Sequence, residues 1–213
     1  MKPQRTLFYD VDTQRDFILP GGLLYIDGTE RVIPALAALT RIARTHGIKI
    51  VASADCHTPD DPELQRNGGR WPDHCMRGTS GQKKIDETAA RNAMIIENVE
   101  LADAQIDAAL AHRGQILIHK QRFDVISGNR NAEKLLRRLL HSFEDVVIYG
   151  VYTEVCVDHA VQGLLKMRGP KLHVVVDAIA PIGPDAPACI EAWRAAGVDL
   201  LTVQDLKEQL DAT

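Results

Sequence analysis

Short apolar runs alternate with helix-patterned segments along this chain, and that alternation limits the folds open to it more than any other feature. Runs at 6–11, 48–52, 115–119, 146–149, 172–176 and 199–203 read as strands. Between them lie helical patterns at 31–45, 131–141, 153–167 and 187–196, with a terminal helix from about Asp205. In the first of these, Pro34 sits in the opening turn, Ile33, Leu36, Leu39 and Ala43 share a face, and Gly47 stops the helix. Strands that alternate with helices pair in parallel through right-handed crossovers. The expectation is an α/β fold: three layers, doubly wound, around a six-stranded, mostly parallel sheet. Residues 93–97 fit a short extra strand, and 101–112 fit a helix. The polar stretch 58–84 breaks the rhythm, as functional insertions do.

The 213 residues are 45% hydrophobic, enough for the core of one domain, and the formal net charge of -4 excludes a basic nucleic-acid or anionic-membrane footprint. No apolar run approaches the roughly 20 residues of a membrane span, and no secretory signal pattern is seen. A cytoplasmic protein is therefore expected, with Cys56, Cys75, Cys156 and Cys189 reduced.

In doubly wound sheets ligands bind beyond the carboxyl ends of the strands. Asp12, Asp55, His57, Lys120 and Cys156 all follow strands, so all five fall on that edge. With Thr153 as N-cap, Cys156 is the third residue of its helix, where the dipole lowers a thiol pKa and a backbone N–H can hold an oxyanion. A core cysteine is the alternative from this residue alone. Asp12 can take a thiol proton. By period two Asp10 shares its side and competes for that role, while Asp16 fits a turn. Lys120 can hold Asp12 ionised and favour the thiolate. His159, one turn after Cys156, is an alternative base. Asp55 and His57 share a face, and with His74 they make two imidazoles and a carboxylate, a set suited to Zn, Fe or Mn. Two loop histidines without a metal remain the alternative.

Asp12-Thr13-Gln14-Arg15-Asp16-Phe17, Lys120 and Gly150-Val151-Tyr152-Thr153-Glu154-Val155-Cys156-Val157 occur in this order on these strands. Together they resemble the isochorismatase-like cysteine hydrolases, a superfamily with a Rossmann-like fold that includes nicotinamidase. The resemblance runs from about Thr6 to Val203 and implies one hydrolase domain over 1–213. It makes Asp12, Lys120 and Cys156 the catalytic residues. It also implies a cis peptide at Val151–Tyr152 that aims the Tyr152 N–H beside that of Cys156, forming the oxyanion hole. Asp55, His57 and His74 match the metal-binding pattern of the nicotinamidase branch. Phe17 and Trp71 would flank an aromatic substrate, and Phe123 is placed in the substrate pocket. Three departures touch that pocket. Glu63 stands where some relatives carry another histidine, Tyr152 replaces a small residue, and Phe123-Asp124-Val125 differs from the branch pattern. The implied activity is ammonia release from a small amide through a thioester, with nicotinamide to nicotinate the leading expectation. Another amidase or ureidohydrolase acting on a carbamoyl or acyclic amide is the rival, and a non-catalytic metal- or thiol-binding module the rival of a different class. The implied partners are the small amide and further copies in a homo-oligomer.

Overall fold

A computed structural model describes residues 1–212. Its seven strands are β1 (Thr6–Val11), β2 (Lys49–Asp55), β3 (Met94–Ile96), β4 (Ile116–Lys120), β5 (Asp145–Val151), β6 (Lys171–Ala180) and β7 (Asp199–Leu201). They form one sheet in the order β3-β4-β2-β1-β5-β6-β7, and every pairing is parallel. The count is therefore seven rather than six. The added strand is β3, three residues long within 93–97, too short to show a period of its own.

The helices are α1 (Arg15–Ile18), α2 (Ile33–His46), α3 (Asp103–Ala111), α4 (Val125–Gly128), α5 (Ala132–Leu140), α6 (Asp158–Met167), α7 (Ala186–Ala195) and α8 (Val203–Asp211). Gly47 ends α2 in the left-handed region at φ 65°, its N–H donating to the Ala43 carbonyl. The single-turn helices α1 and α4 carry no periodic signal and are additions to the sequence pattern. Leu7, Tyr9 and Val11 of β1 share one core with Leu135, Leu136 and Leu139 of α5 and Val161 of α6. Phe8 shares the other with Leu36 and Leu39 of α2 and Leu206 of α8. Burial on both faces explains why the strands read as continuous apolar runs rather than alternating ones.

From β1 the chain builds outward through β2, then crosses to the far side of β1 to add β5. The strand order thus reverses between β1 and β5, where an open α/β sheet has its crevice. Val11 is in register with Gly150, which places the strand ends before Asp12 and before Tyr152 side by side. Stretch 58–84 has little regular structure. It is tied down by isolated bridges from His57 to Met76, Leu64 to Trp71 and Gln14 to Lys84.

Candidate active site

Three strand ends bring Asp12, Lys120 and Cys156 together. Asp12 leaves β1 at φ 49°, in the left-handed region. Its Oδ1 accepts a hydrogen bond from Ser53 Oγ at 2.7 Å, and its Oδ2 lies 2.9 Å from Lys120 Nζ. Lys120 Nζ is 3.7 Å from Cys156 Sγ and also pairs with Asp55 Oδ1. Ligand atoms of Asp12, Asp55 and Cys156 all lie within 4.8 Å of one another. All four residues are buried. Asp10 is engaged elsewhere, 3.0 Å from Lys84 Nζ and accepting from Thr13 Oγ at 2.8 Å. The turn at Asp12 gives the two aspartates different partners. Asp16 accepts from the N–H groups of Leu23 and Cys75, a turn-holding role.

The turn that carries Cys156 differs from the expected helix start. Residues 153–157 form a π-helical turn before α6, and Tyr152, extended at φ -98° and ψ 149°, is its cap. Thr153 lies inside the turn instead of capping it, so Cys156 is the fourth residue. The Tyr152 carbonyl accepts from Val155 and Val157 N–H at 3.1 Å each. The Val151–Tyr152 peptide is cis.

Nor is the thiol pKa lowered. Burial pushes Cys156 well above the ordinary thiol value, Lys120 opposes the rise, and Asp12 and Asp55 add to it. Burial also raises Asp12, against the pull of Lys120. Burial works against the Lys120 charge, but Asp12, Asp55 and Cys156 outweigh it and raise its pKa well above normal. The site therefore holds a protonated thiol beside a carboxyl of raised basicity and a firm cation.

Asp55, His57 and His74 converge beside this group. His57 Nε2 and His74 Nε2 lie 3.8 and 3.7 Å from Asp55 Oδ2, too far for hydrogen bonds and close enough to share one ion. His57 Nδ1 donates to Asp61 Oδ2 at 3.0 Å and His74 Nδ1 to the Pro72 carbonyl at 2.8 Å. Both rings thus turn the lone pair of Nε2 toward Asp55, and His57 Nε2 is buried with no hydrogen-bond partner among the described residues. These residues fit a divalent metal ion. Burial would raise Asp55, yet the Lys120 charge and the two imidazoles beside it hold it well below the usual carboxylate range.

Trp71 and Phe123 line a cavity of about 330 Å³ together with Glu63, Arg70, Val155 and His159. Phe17 does not line it; its ring packs 5.5 Å from His74 and 5.7 Å from Tyr152. His159 stacks 4.7 Å from Phe123 rather than turning to the thiol. Glu63 Oε1 accepts from the Phe123 N–H at 2.7 Å, joining the two loops of this wall. Sequence reasoning missed Ser53 and Asp61. The latter had a signal, an acid four residues beyond a candidate ligand histidine; Ser53 had none without the β1–β2 register.

Residues 7–102 and 99–205 match the Isochorismatase domain model. The nicotinamidase of Saccharomyces cerevisiae is 26% identical over 82% of this chain and 88% of its own. An Arabidopsis thaliana protein described as a probable inactive nicotinamidase is 24% identical over 97% of both chains. The crystal structure of a Pyrococcus horikoshii pyrazinamidase in complex with zinc is 26% identical and superposes with a TM-score of 0.72, covering 93% of this chain and 99% of that one. The match over most of the chain, on a parallel sheet whose strand ends gather an acid, a lysine and a cysteine, shows that this chain belongs to the isochorismatase family.

Proposed function

We propose that this protein is a cysteine-dependent amidohydrolase that releases ammonia from a small amide, with nicotinamide as substrate and nicotinate as product. The observation that carries this reading is the buried Asp12–Lys120–Cys156 group at the strand-order reversal. A thiol with a raised pKa is a poor nucleophile unless a base stands beside it. Asp12, itself raised by burial, is that base. It takes the Cys156 proton, and the thiolate, facing the Lys120 ammonium, attacks the amide carbon. The N–H groups of Tyr152 and Cys156 hold the oxyanion. Asp12 returns the proton to the leaving ammonia, then takes one from the water that hydrolyses the thioester.

Trp71 and Phe123 supply the aromatic wall that suits a flat ring, with Phe17 behind His74. Asp55, His57 and His74 would hold Zn, Fe or Mn. The ion supplies a fixed positive anchor for a ring nitrogen or a water. The zinc in the archaeal pyrazinamidase supports zinc among these.

The test is ammonia release from nicotinamide alongside carbamoyl and acyclic amides, each with and without a chelator. Cys156→Ala should abolish release while keeping the wild-type circular dichroism. Full activity in that variant would sink the cysteine mechanism. Turnover confined to carbamoyl or acyclic amides would move the substrate assignment, and no turnover on any amide would favour a binding module. The plant relative described as probably inactive makes that last arm necessary.

A further inference from the structure

The ends of β2, β3 and β4 carry a second set of metal-ligating side chains that the proposed reaction does not use. These three strands are neighbours in the order β3-β4-β2. Asp55 is in register with Lys120 and Ala54 with His119. Because successive strand residues face opposite ways, Asp55 and Lys120 go to the candidate active site while Cys56 and His119 go to the other side. Glu97 follows β3 directly and meets them there. The Cys56 thiol, a Glu97 carboxylate oxygen and a His119 ring nitrogen all lie within 4.8 Å of one another. His119 Nδ1 is 3.1 Å from Glu97 Oε1. Cys56 is wholly buried and His119 is 7% exposed.

The surroundings are those of a held ligand set. Asn129 Nδ2 donates to the carbonyls of His119 and Ile96 at 2.7 and 3.0 Å, fixing the ends of β4 and β3 against each other. Gln121 Nε2 donates to the Cys56 carbonyl at 3.0 Å. The Arg77 guanidinium grips Glu97 from outside at 3.3 and 2.8 Å, an outer partner that keeps the carboxylate ionised and aimed. His119 also lines a separate cavity of about 500 Å³ with Ala54 and Leu117, and the Glu97 side chain is 36% exposed, which gives an ion a way in from solvent.

We propose that Cys56, Glu97 and His119 form a second divalent-metal site, back to back with Asp55, His57 and His74 across the end of β2. Thiolate, imidazole and carboxylate together suit Zn²⁺ in a tetrahedral set, with a water as fourth ligand. On binding, the Cys56 S–H bond breaks and its proton passes to solvent. A sulfur–metal bond forms; the His119 ring gives up its Nδ1 proton and takes one at Nε2 instead, and the freed Nδ1 lone pair and the Glu97 carboxylate bind the ion in place of their hydrogen bond.

The inference is independent of amide turnover, and so is its test. Cobalt(II) is titrated into metal-free Cys156→Ala protein, which removes the nucleophile thiol from the spectrum. The first ligand set contains no sulfur, so only the second can give a thiolate-to-cobalt charge-transfer band in the near ultraviolet. The expected result is two cobalt ions per chain and such a band. Adding Cys56→Ser should remove the band and one ion; adding His74→Ala should remove one ion and keep the band. Absence of the band in the Cys156→Ala protein overturns the proposal, as does a band that survives Cys56→Ser. If Cys56→Ser fails to fold, His119→Gln replaces it, with loss of one ion expected and unchanged stoichiometry overturning the site.

Discussion

Cys156 is surrounded by groups that keep its proton on. Burial raises the thiol, and the Asp12 carboxylate beside it raises it further. Removing that acid therefore has opposite effects on ionisation and on rate. In Asp12→Asn one raising contribution is gone and Lys120 remains, so the thiol should ionise at lower pH than in the wild type while ammonia release is lost for want of a base. The thiolate absorbance difference against Cys156→Ala, followed from pH 6 upward, measures this; an unchanged or higher titration midpoint would refute the electrostatic account. Lys120 permits a second test. It is the cation between two buried carboxylates, Asp12 and Asp55. Lys120→Met leaves them facing each other and should cost about 3–5 kcal/mol in urea unfolding at neutral pH. The loss should shrink toward acid pH, where one carboxylate takes up a proton and the repulsion ends. A loss that is the same at all pH values would mean lost packing rather than charge. These residues were readable from the chain because each follows an apolar run. Their protonation was not, because it depends on the burial and the Asp55 contact that only the folded strand ends create.

At the scale of elements, the strand positions follow from their apolar runs, since a sheet covered on both faces demands them. The elements that shape the site are those without periodicity. The π turn at 153–157 replaces a regular helix start, the left-handed bend at Asp12 breaks the alternation that would pair it with Asp10, and 58–84 is ordered by bridges and hydrogen bonds. A short segment of this kind is decided by what it packs against. Gly150 shows the constraint most sharply. It stands at φ 128°, and a Cβ there would come within 1.9 Å of the Val11 carbonyl oxygen, at the place where β5 lies against β1. Gly150→Ala must push apart the two strand ends that lead to Asp12 and Tyr152. It should destabilise the fold by about 1–3 kcal/mol from backbone strain alone. The surviving folded protein should be slower by about 100-fold, since a displacement near 1 Å at a reacting centre costs on that order. Near wild-type kcat/KM in folded Gly150→Ala protein would show that the spacing of β1 and β5 does not set the geometry of the site.

For the whole molecule, the end of the sheet concentrates buried charge in a chain whose overall charge is small. Asp12, Asp55 and Lys120 are buried with His57 and His74 where several strands finish. An ion held by Asp55, His57 and His74 binds only the folded state, because the loop carrying His74 and the end of β2 meet only there. Folding and metal affinity are therefore linked. Zinc at 100 times its dissociation constant should add about 2.7 kcal/mol to unfolding. For a chain of this length each kcal/mol moves the melting point by about 2–4 °C, so the midpoint should rise by roughly 5–11 °C. Run in a Cys56→Ser background, the shift reports only this ligand set, and His74→Ala should remove most of it. The sign with pH follows from proton competition. Both histidines must offer a bare Nε2 to the ion. Although burial lowers the His57 pKa, the Asp55 and Asp61 carboxylates outweigh it and raise it above the ordinary imidazole value. The zinc-dependent increment is therefore fullest at the alkaline end of the range and declines as pH falls through that raised value. Differential scanning calorimetry with and without zinc, from pH 5 to 8, measures the increment directly. An increment that stays constant across that range, or that survives His74→Ala, would mean that the stabilising ion sits elsewhere.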